Sequence, residues 1–131
     1  MLAIDTNVLV RLLVEDDPIQ SRAAAAVVRT RSARGERVLV TRTVLVETVW
    51  VLKAAYGQSR AQIVDVLSAL LRADDFVIDG SDAAGRALRA YADGRGDFAD
   101  YIIREDALAA GATMVVTFDR VLQREDGFVR P

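Results

Sequence analysis

The segment 97–120, DFADYIIREDALAAGATMVVTFDR, places the strongest constraint on how this chain can fold. Asp97 and Asp100 are spaced i and i+3, which puts both carboxylates on one stripe of a helix. A glycine ends that helix, and the apolar run 114–116 then predicts a short strand buried on both faces. The strand leads to Asp119 at its carboxyl end, which is the edge where parallel sheets build their sites. Acidic side chains are therefore carried on two neighbouring elements.

The rest of the chain repeats the same alternation of short strands and helices. Residues 2–4, 38–40 and 76–78 are short apolar runs, the first expected to be buried, and 128–129 offers an edge strand. Two helical patterns separate each run from the next. The order predicts an α/β fold with three α/β/α layers around a central, mainly parallel sheet of four to five short strands. The chain length of 131 residues predicts one domain over 1–131.

Composition removes several classes of chemistry. The chain has no histidine and no cysteine, so histidine relays, thiol nucleophiles and ordinary zinc sites are excluded. The net charge of −2 gives no overall attraction for nucleic acid, so a polyanionic substrate needs local basic side chains or bridging cations. No apolar run reaches the length of a membrane span, and no basic segment precedes the first strand. We expect a cytoplasmic protein without a membrane partner.

Five acidic residues fall at positions that the predicted topology can bring together. They are Asp5, Glu47, Asp97, Asp100 and Asp119. Two follow predicted strands, two open the helix after residue 96, and Glu47 lies in an apolar helix. Clustered carboxylates repel one another unless positive charge is added. Without histidine, the coherent choice is an all-oxygen site for Mg²⁺ or Mn²⁺, which activates water and stabilises charge on phosphate.

Each of these acids also has a purely structural interpretation. Asp97 is a plausible N-cap, with Asp100 favouring the helix dipole from the first turn. Asp100 is also spaced to pair with Arg104 at i+4, and Asp119 is placed to cap a turn. Glu47 is either a buried carboxylate that needs a partner or a residue on the exposed side of its helix. The sequence alone leaves the two interpretations of Glu47 equally open.

Four stretches together resemble the PIN-domain ribonucleases, in particular the VapC-type toxins of bacterial toxin–antitoxin pairs. They are MLAIDTNVLVR at the amino terminus, Glu47 in its apolar helix, DFADYII, and GATMVVTFDR. The stretches keep the order and spacing of the family over nearly the full length. The DTN opening and the TFD ending are specific in combination.

The resemblance implies a Mg²⁺-dependent endoribonuclease, with Mn²⁺ as a possible substitute, that cleaves RNA phosphodiesters by metal-activated water. Matched by position, the acidic quartet is Asp5, Glu47, Asp100 and Asp119. Asp97 is an additional acid that could share the metal, and Asp5 and Asp100 are the expected direct ligands. Thr6, Asn7 and Thr117 resemble groups that orient the carboxylates. The nearest candidates for phosphate contacts are Arg11, Arg42, Arg95, Arg104 and Arg120, each of which is otherwise an ordinary surface residue.

The resemblance also implies a homodimer that is neutralised by a small antitoxin protein. The apolar helices at 43–56 and 59–73 suggest a surface for one of these partners. Two alternatives remain open: a PIN-type RNA-processing nuclease without an antitoxin, and a catalytically silent PIN-fold binding module. A short antitoxin-like reading frame just upstream would favour the toxin, and a missing acid would favour the silent module. None of the expected acids is missing.

Overall fold

The computed structural model describes residues 1–131, which divide into two compact units, residues 1–81 and 82–131. The first unit contains strands β1 (Leu2–Ala3), β2 (Val38–Val40) and β3 (Phe76–Ile78), with helices α1 (Thr6–Leu13), α2 (Pro18–Ala33), α3 (Arg42–Ala54) and α4 (Arg60–Arg72). The second contains helices α5 (Ser81–Asp93) and α6 (Phe98–Ala109), strands β4 (Val115–Val116) and β5 (Phe128–Val129), and a 3₁₀ turn at Leu122–Arg124. No helix is long and apolar enough to cross a membrane.

The first unit is built on a parallel sheet in the order β1-β2-β3. Two helices connect each strand to the next, as parallel pairing requires a crossover. The central strand forms the core, since Val38 and Val40 are both 0% exposed. Full burial of such a side chain contributes about 1.5–3 kcal/mol. This sheet holds the carboxyl ends of its three strands along one edge.

The second unit combines a parallel pair, β4 and β5, with an aromatic core. The rings of Tyr91 and Phe98 meet edge to face at 6.1 Å, and those of Tyr101 and Phe128 at 6.4 Å. The Arg104 guanidinium lies over the Tyr101 ring, 5.2 Å from its centroid. These contacts fix α6 beside β5 and so fix the start of α6, which carries two of the acids.

Local signals place the helix starts where the sequence predicts them. The side chains of Asp17 and Thr41 accept hydrogen bonds from the first turns of α2 and α3. Ser59 and Gln62 form the reciprocal capping box of α4. Gly111, with a φ of +98°, follows the end of α6, and a glycine adopts this conformation without strain. Short-range chemistry therefore sets these boundaries.

The predicted α/β class is confirmed, and every strand pairing is parallel. The five strands lie in two sheets, one of three strands and one of two. The expectation that 2–4 and 114–116 are buried strands is wrong, because Leu2 is 39% and Val116 63% exposed. β1 and β4 are two residues long, and each pairs with a single neighbour. The single-domain expectation stays a prediction.

Helix α3 differs from its prediction as a helix buried nearly all round. Trp50 is 70% exposed and Glu47 is also exposed. The buried positions Leu45, Val49 and Leu52 form one stripe at i, i+4 and i+7. One face of α3 packs into the unit, and the other is open.

Candidate active site

In the first unit, Asp5 follows β1 and is the N-cap of α1. Its Oδ1 accepts a hydrogen bond from the backbone N–H of Val8 at 3.0 Å. The structural interpretation of Asp5 as a cap is therefore correct for one carboxylate oxygen. The other oxygen, Oδ2, lies outside this bond. A cap held in this way is also an oriented ligand, because the carboxylate cannot rotate without losing the bond.

Glu47 is linked to the same segment through Thr6. Thr6 Oγ1 donates to Glu47 Oε2 at 3.0 Å, so β1's end and α3 are joined by a side-chain hydrogen bond. Glu47 is exposed, which favours the exposed alternative for this residue, yet it has a specific partner. The structure thus brings Thr6 and Glu47 together, with Asp5 next to Thr6 in the chain. Asn7 is exposed on the first turn of α1.

In the second unit, Asp97 and Asp100 open α6 as predicted. Asp97 is the N-cap, and its backbone N–H donates to Asp100 Oδ2 at 2.8 Å. Arg104 does not pair with Asp100 in the way the i+4 spacing allows. Its Nη1 donates instead to the Asp126 carbonyl at 2.9 Å. The nearest arginine on the helix is therefore committed elsewhere, and it does not neutralise Asp100.

Asp119 follows β4 and holds the turn after it. Its Oδ1 accepts from the N–H of Val121 at 2.8 Å and from that of Leu122 at 3.4 Å. Thr117 Oγ1 accepts the backbone N–H of Asp119 at 3.1 Å. Thr117 thus positions the backbone of Asp119 directly. The turn-capping interpretation is correct for Oδ1, and Oδ2 lies outside these bonds.

The electrostatics of the second unit single out Asp100. Partial burial raises the pKa of its carboxyl, and the negative charges of Asp97, Asp119 and Glu125 raise it further, while the hydrogen bond from the Asp97 N–H opposes the shift. The structure therefore relates three of the predicted acids to one another. Glu125 is a fourth acid that sequence reasoning missed. Its position after the 3₁₀ turn carries no spacing pattern that would have marked it.

These donors fit a hard divalent cation. They are carboxylate oxygens, and a nearby positive charge would relieve the repulsion that Asp100 experiences. Neither unit by itself holds a group of three or more acidic side chains spaced for a metal ion. Within one unit, a cation would accordingly have few direct carboxylates and complete its shell with water, which is the coordination that Mg²⁺ prefers.

Three of the five candidate arginines are occupied with structural contacts. Arg11 donates to Asp16 at 2.8 Å and to Gln20 at 2.7 Å. The Arg42 side chain packs against Gly80, where φ is +65°. Arg104 has been described above. Arg95 and Arg120 instead line a cavity, together with Arg124, which the sequence did not single out.

Comparison with known proteins agrees with this description. The chain belongs to the PIN domain family, whose model matches residues 2–127. PIN domains are in general nucleases, and they typically use divalent metals. A nuclease fold and a hydrolase of this general kind follow from the match. No curated protein matches the chain.

Proposed function

We propose that this protein is a Mg²⁺-dependent endoribonuclease in which Asp5, Glu47, Asp100 and Asp119 are the metal-binding quartet. The observation that carries the proposal is that each of the four is held by a hydrogen bond through one oxygen. The bonds come from the backbone for three of them and from Thr6 for Glu47. The second oxygen of each carboxylate lies outside the bond described. Oriented carboxylates of this kind are the donors that Mg²⁺ and Mn²⁺ select.

The residues have distinct roles in the proposal. Asp5 and Asp100 are the direct ligands, and Glu47 and Asp119 complete the quartet. Asp97 fixes Asp100 through its backbone N–H and adds negative charge beside it. When bound, the cation polarises the phosphodiester and lowers the pKa of the attacking water.

The orienting residues act one step further out. Thr6 holds the Glu47 carboxylate, and Thr117 holds the backbone of Asp119. Asn7, exposed on the first turn of α1, is proposed to serve the same purpose during turnover.

The test is cleavage of a set of structured RNAs by the purified protein. We expect cleavage with Mg²⁺, no cleavage with EDTA, and loss of cleavage in Asp100→Asn and Asp119→Asn. The matched control is Asp65→Asn, which removes an exposed carboxylate from α4 and should cleave like wild type. Cleavage that persists in EDTA, or in Asp100→Asn, would contradict the proposal.

We further propose that the nuclease is the toxin of a toxin–antitoxin pair and acts in the cytoplasm as a homodimer. The support is the resemblance of the DTN and TFD stretches to VapC-type toxins. Expression should arrest growth, and expression of Asp100→Asn should not. Co-expression of a small protein encoded just upstream should restore growth. Restoration failing while RNA cleavage is confirmed would favour the RNA-processing nuclease.

The dimer has its own support and its own test. Trp50 is 70% exposed on α3, and a large exposed aromatic is typical of an association surface. Sedimentation should show a dimer at micromolar concentration and more monomer in Trp50→Ser. A monomer in the wild type would contradict the dimer.

A further inference from the structure

The second unit has a cavity of about 490 Å³ whose charged lining is mostly basic. Arg95, Arg120 and Arg124 line it, against the two acids Asp93 and Glu125. Its volume lies in the range of about 300–1,000 Å³ that is usual for pockets that bind small ligands. Three guanidinium groups in one concave surface match the oxygens of a phosphate, which arginine binds through paired hydrogen bonds.

A buried tyrosine holds the two sides of this cavity in place. The Tyr101 hydroxyl accepts the Gly96 N–H at 2.9 Å and lies 2.7 and 2.8 Å from the two oxygens of Glu125. Tyr101 is 0% exposed. A Cβ at Gly94 would overlap Tyr101 and Glu125 and would lie 2.7 Å from the Ala90 carbonyl, so the loop fits closely. The Glu125 carboxylate is thus engaged by the tyrosine, which weakens its competition for the arginines.

The turn that carries two of the arginines begins at Asp119. Asp119 accepts two N–H groups of this turn, and Leu122 anchors it at 3% exposure. Arg120 and Arg124 are exposed on the same turn. The carboxylate proposed for catalysis therefore also fixes the backbone that presents the arginines. A phosphate bound there would belong to the same RNA strand as the bond being cleaved.

Phe118 supplies the second, independent observation. It directly precedes Asp119, and its side chain is 87% exposed. An exposed phenyl ring beside a basic cavity is the combination by which proteins bind single-stranded nucleic acid, with a base stacked on the ring and the backbone on the arginines.

We propose that the cavity and Phe118 form a subsite for single-stranded RNA. Arg120 and Arg124, with Arg95, bind a backbone phosphate, and Phe118 stacks the adjoining base. The inference rests on the proposed ribonuclease function and adds to it how the substrate is held. It also assigns a role to Arg124.

The test measures binding without cleavage. A fluorescein-labelled single-stranded RNA of ten nucleotides is titrated with the full chain in EDTA, and anisotropy is followed at several salt concentrations. The double variant Arg120→Gln/Arg124→Gln removes the phosphate contacts, and Phe118→Ala removes the stacking ring. The matched control is Arg22→Gln/Arg29→Gln, which removes two exposed arginines of α2.

The two arms of the test have different signatures. The Arg120/Arg124 variant should bind at least roughly tenfold more weakly at low salt, with a log–log salt slope smaller by about 1.4. Phe118→Ala should bind roughly 5- to 150-fold more weakly with an unchanged slope. The control should bind like wild type. A loss in the Phe118 arm also separates a nucleotide site from a site for free phosphate.

Three results would overturn the subsite: no RNA binding by wild type, a loss in the arginine variant no larger than in the control, or unchanged binding by Phe118→Ala. The proposed function fails in a different way. A wild type that binds with the predicted losses but never cleaves in Mg²⁺ contradicts the ribonuclease and supports the subsite. A wild type that cleaves while both arms bind normally contradicts the subsite alone.

Discussion

Tyr101→Phe is the substitution whose effect on stability can be worked out most fully from the structure. It removes one hydroxyl and leaves the buried ring. That hydroxyl is the acceptor for the Gly96 N–H and the donor to the Glu125 carboxylate. The loop around Gly96 and the segment after the 3₁₀ turn are both attached to it.

The expected loss has two parts. A hydrogen bond to a charged group contributes about 1.5–3 kcal/mol, and a buried N–H left without an acceptor costs about 1–3 kcal/mol. Gly96 is buried, so its N–H cannot turn to water instead. Since the two parts share one hydroxyl and are not additive, we expect a total loss of about 3 kcal/mol. For a chain of 131 residues this lowers Tm by about 10 °C.

The assay is urea unfolding followed by circular dichroism, together with amide hydrogen exchange at Gly96. The control is Tyr56→Phe, which removes a hydroxyl bonded to the exposed Asp16 at 2.8 Å and should cost much less. Exchange of the Gly96 amide should accelerate only in Tyr101→Phe. Equal losses in the two variants, with an unchanged Gly96 amide, would refute the reasoning.

Three further predictions concern single side chains. Because the pKa of Asp100 is raised, its ionised form destabilises the folded state above that pKa; Asp100→Asn should therefore raise Tm at pH 7 without metal, and the gain should vanish as pH falls to the ordinary range near about 4. Thr48 is 0% exposed and its hydroxyl has no partner, so Thr48→Val should stabilise the protein by about 1 kcal/mol in urea unfolding. Thr6→Val removes the donor to Glu47 and should lower RNA cleavage by about 10- to 100-fold with Tm nearly unchanged.

Each of these has a result that would count against it. A gain for Asp100→Asn that is constant between pH 4 and 7 would mean that ionisation is not the cause. A loss of stability in Thr48→Val would show that its hydroxyl has a partner after all. Full activity in Thr6→Val would remove Thr6 from the proposed orienting residues, and Thr6→Ser, which keeps the hydroxyl, should retain activity.

Sequence reasoning succeeded where the determining interactions are short-range. The start of α4 follows from Ser59 and Gln62, three residues apart, and the end of α6 from the glycine after it. The starts of α1 and α6 follow from Asp5 and Asp97 in the same way. These interactions close within one helical turn, so spacing alone identifies them.

Sequence reasoning failed where side chains far apart in the chain decide the outcome. Tyr101 and Glu125 are separated by 24 positions, and no local pattern links them. The run 114–116 has the composition of a buried strand, but burial depends on which strands pair with it. The five candidate arginines were equivalent in sequence, and contacts such as that of Arg11 with Asp16 distinguish them only in the fold.

The central claim is that these carboxylates bind a divalent cation, and calorimetric titration with Mg²⁺ tests it most directly. Wild type and the surface control Asp65→Asn should bind Mg²⁺ with the same affinity. Asp100→Asn, which retains an oxygen to accept the Asp97 N–H, should lose that binding. Mg²⁺ binding that is equally strong in Asp100→Asn, or absent from the folded wild type, would contradict the account.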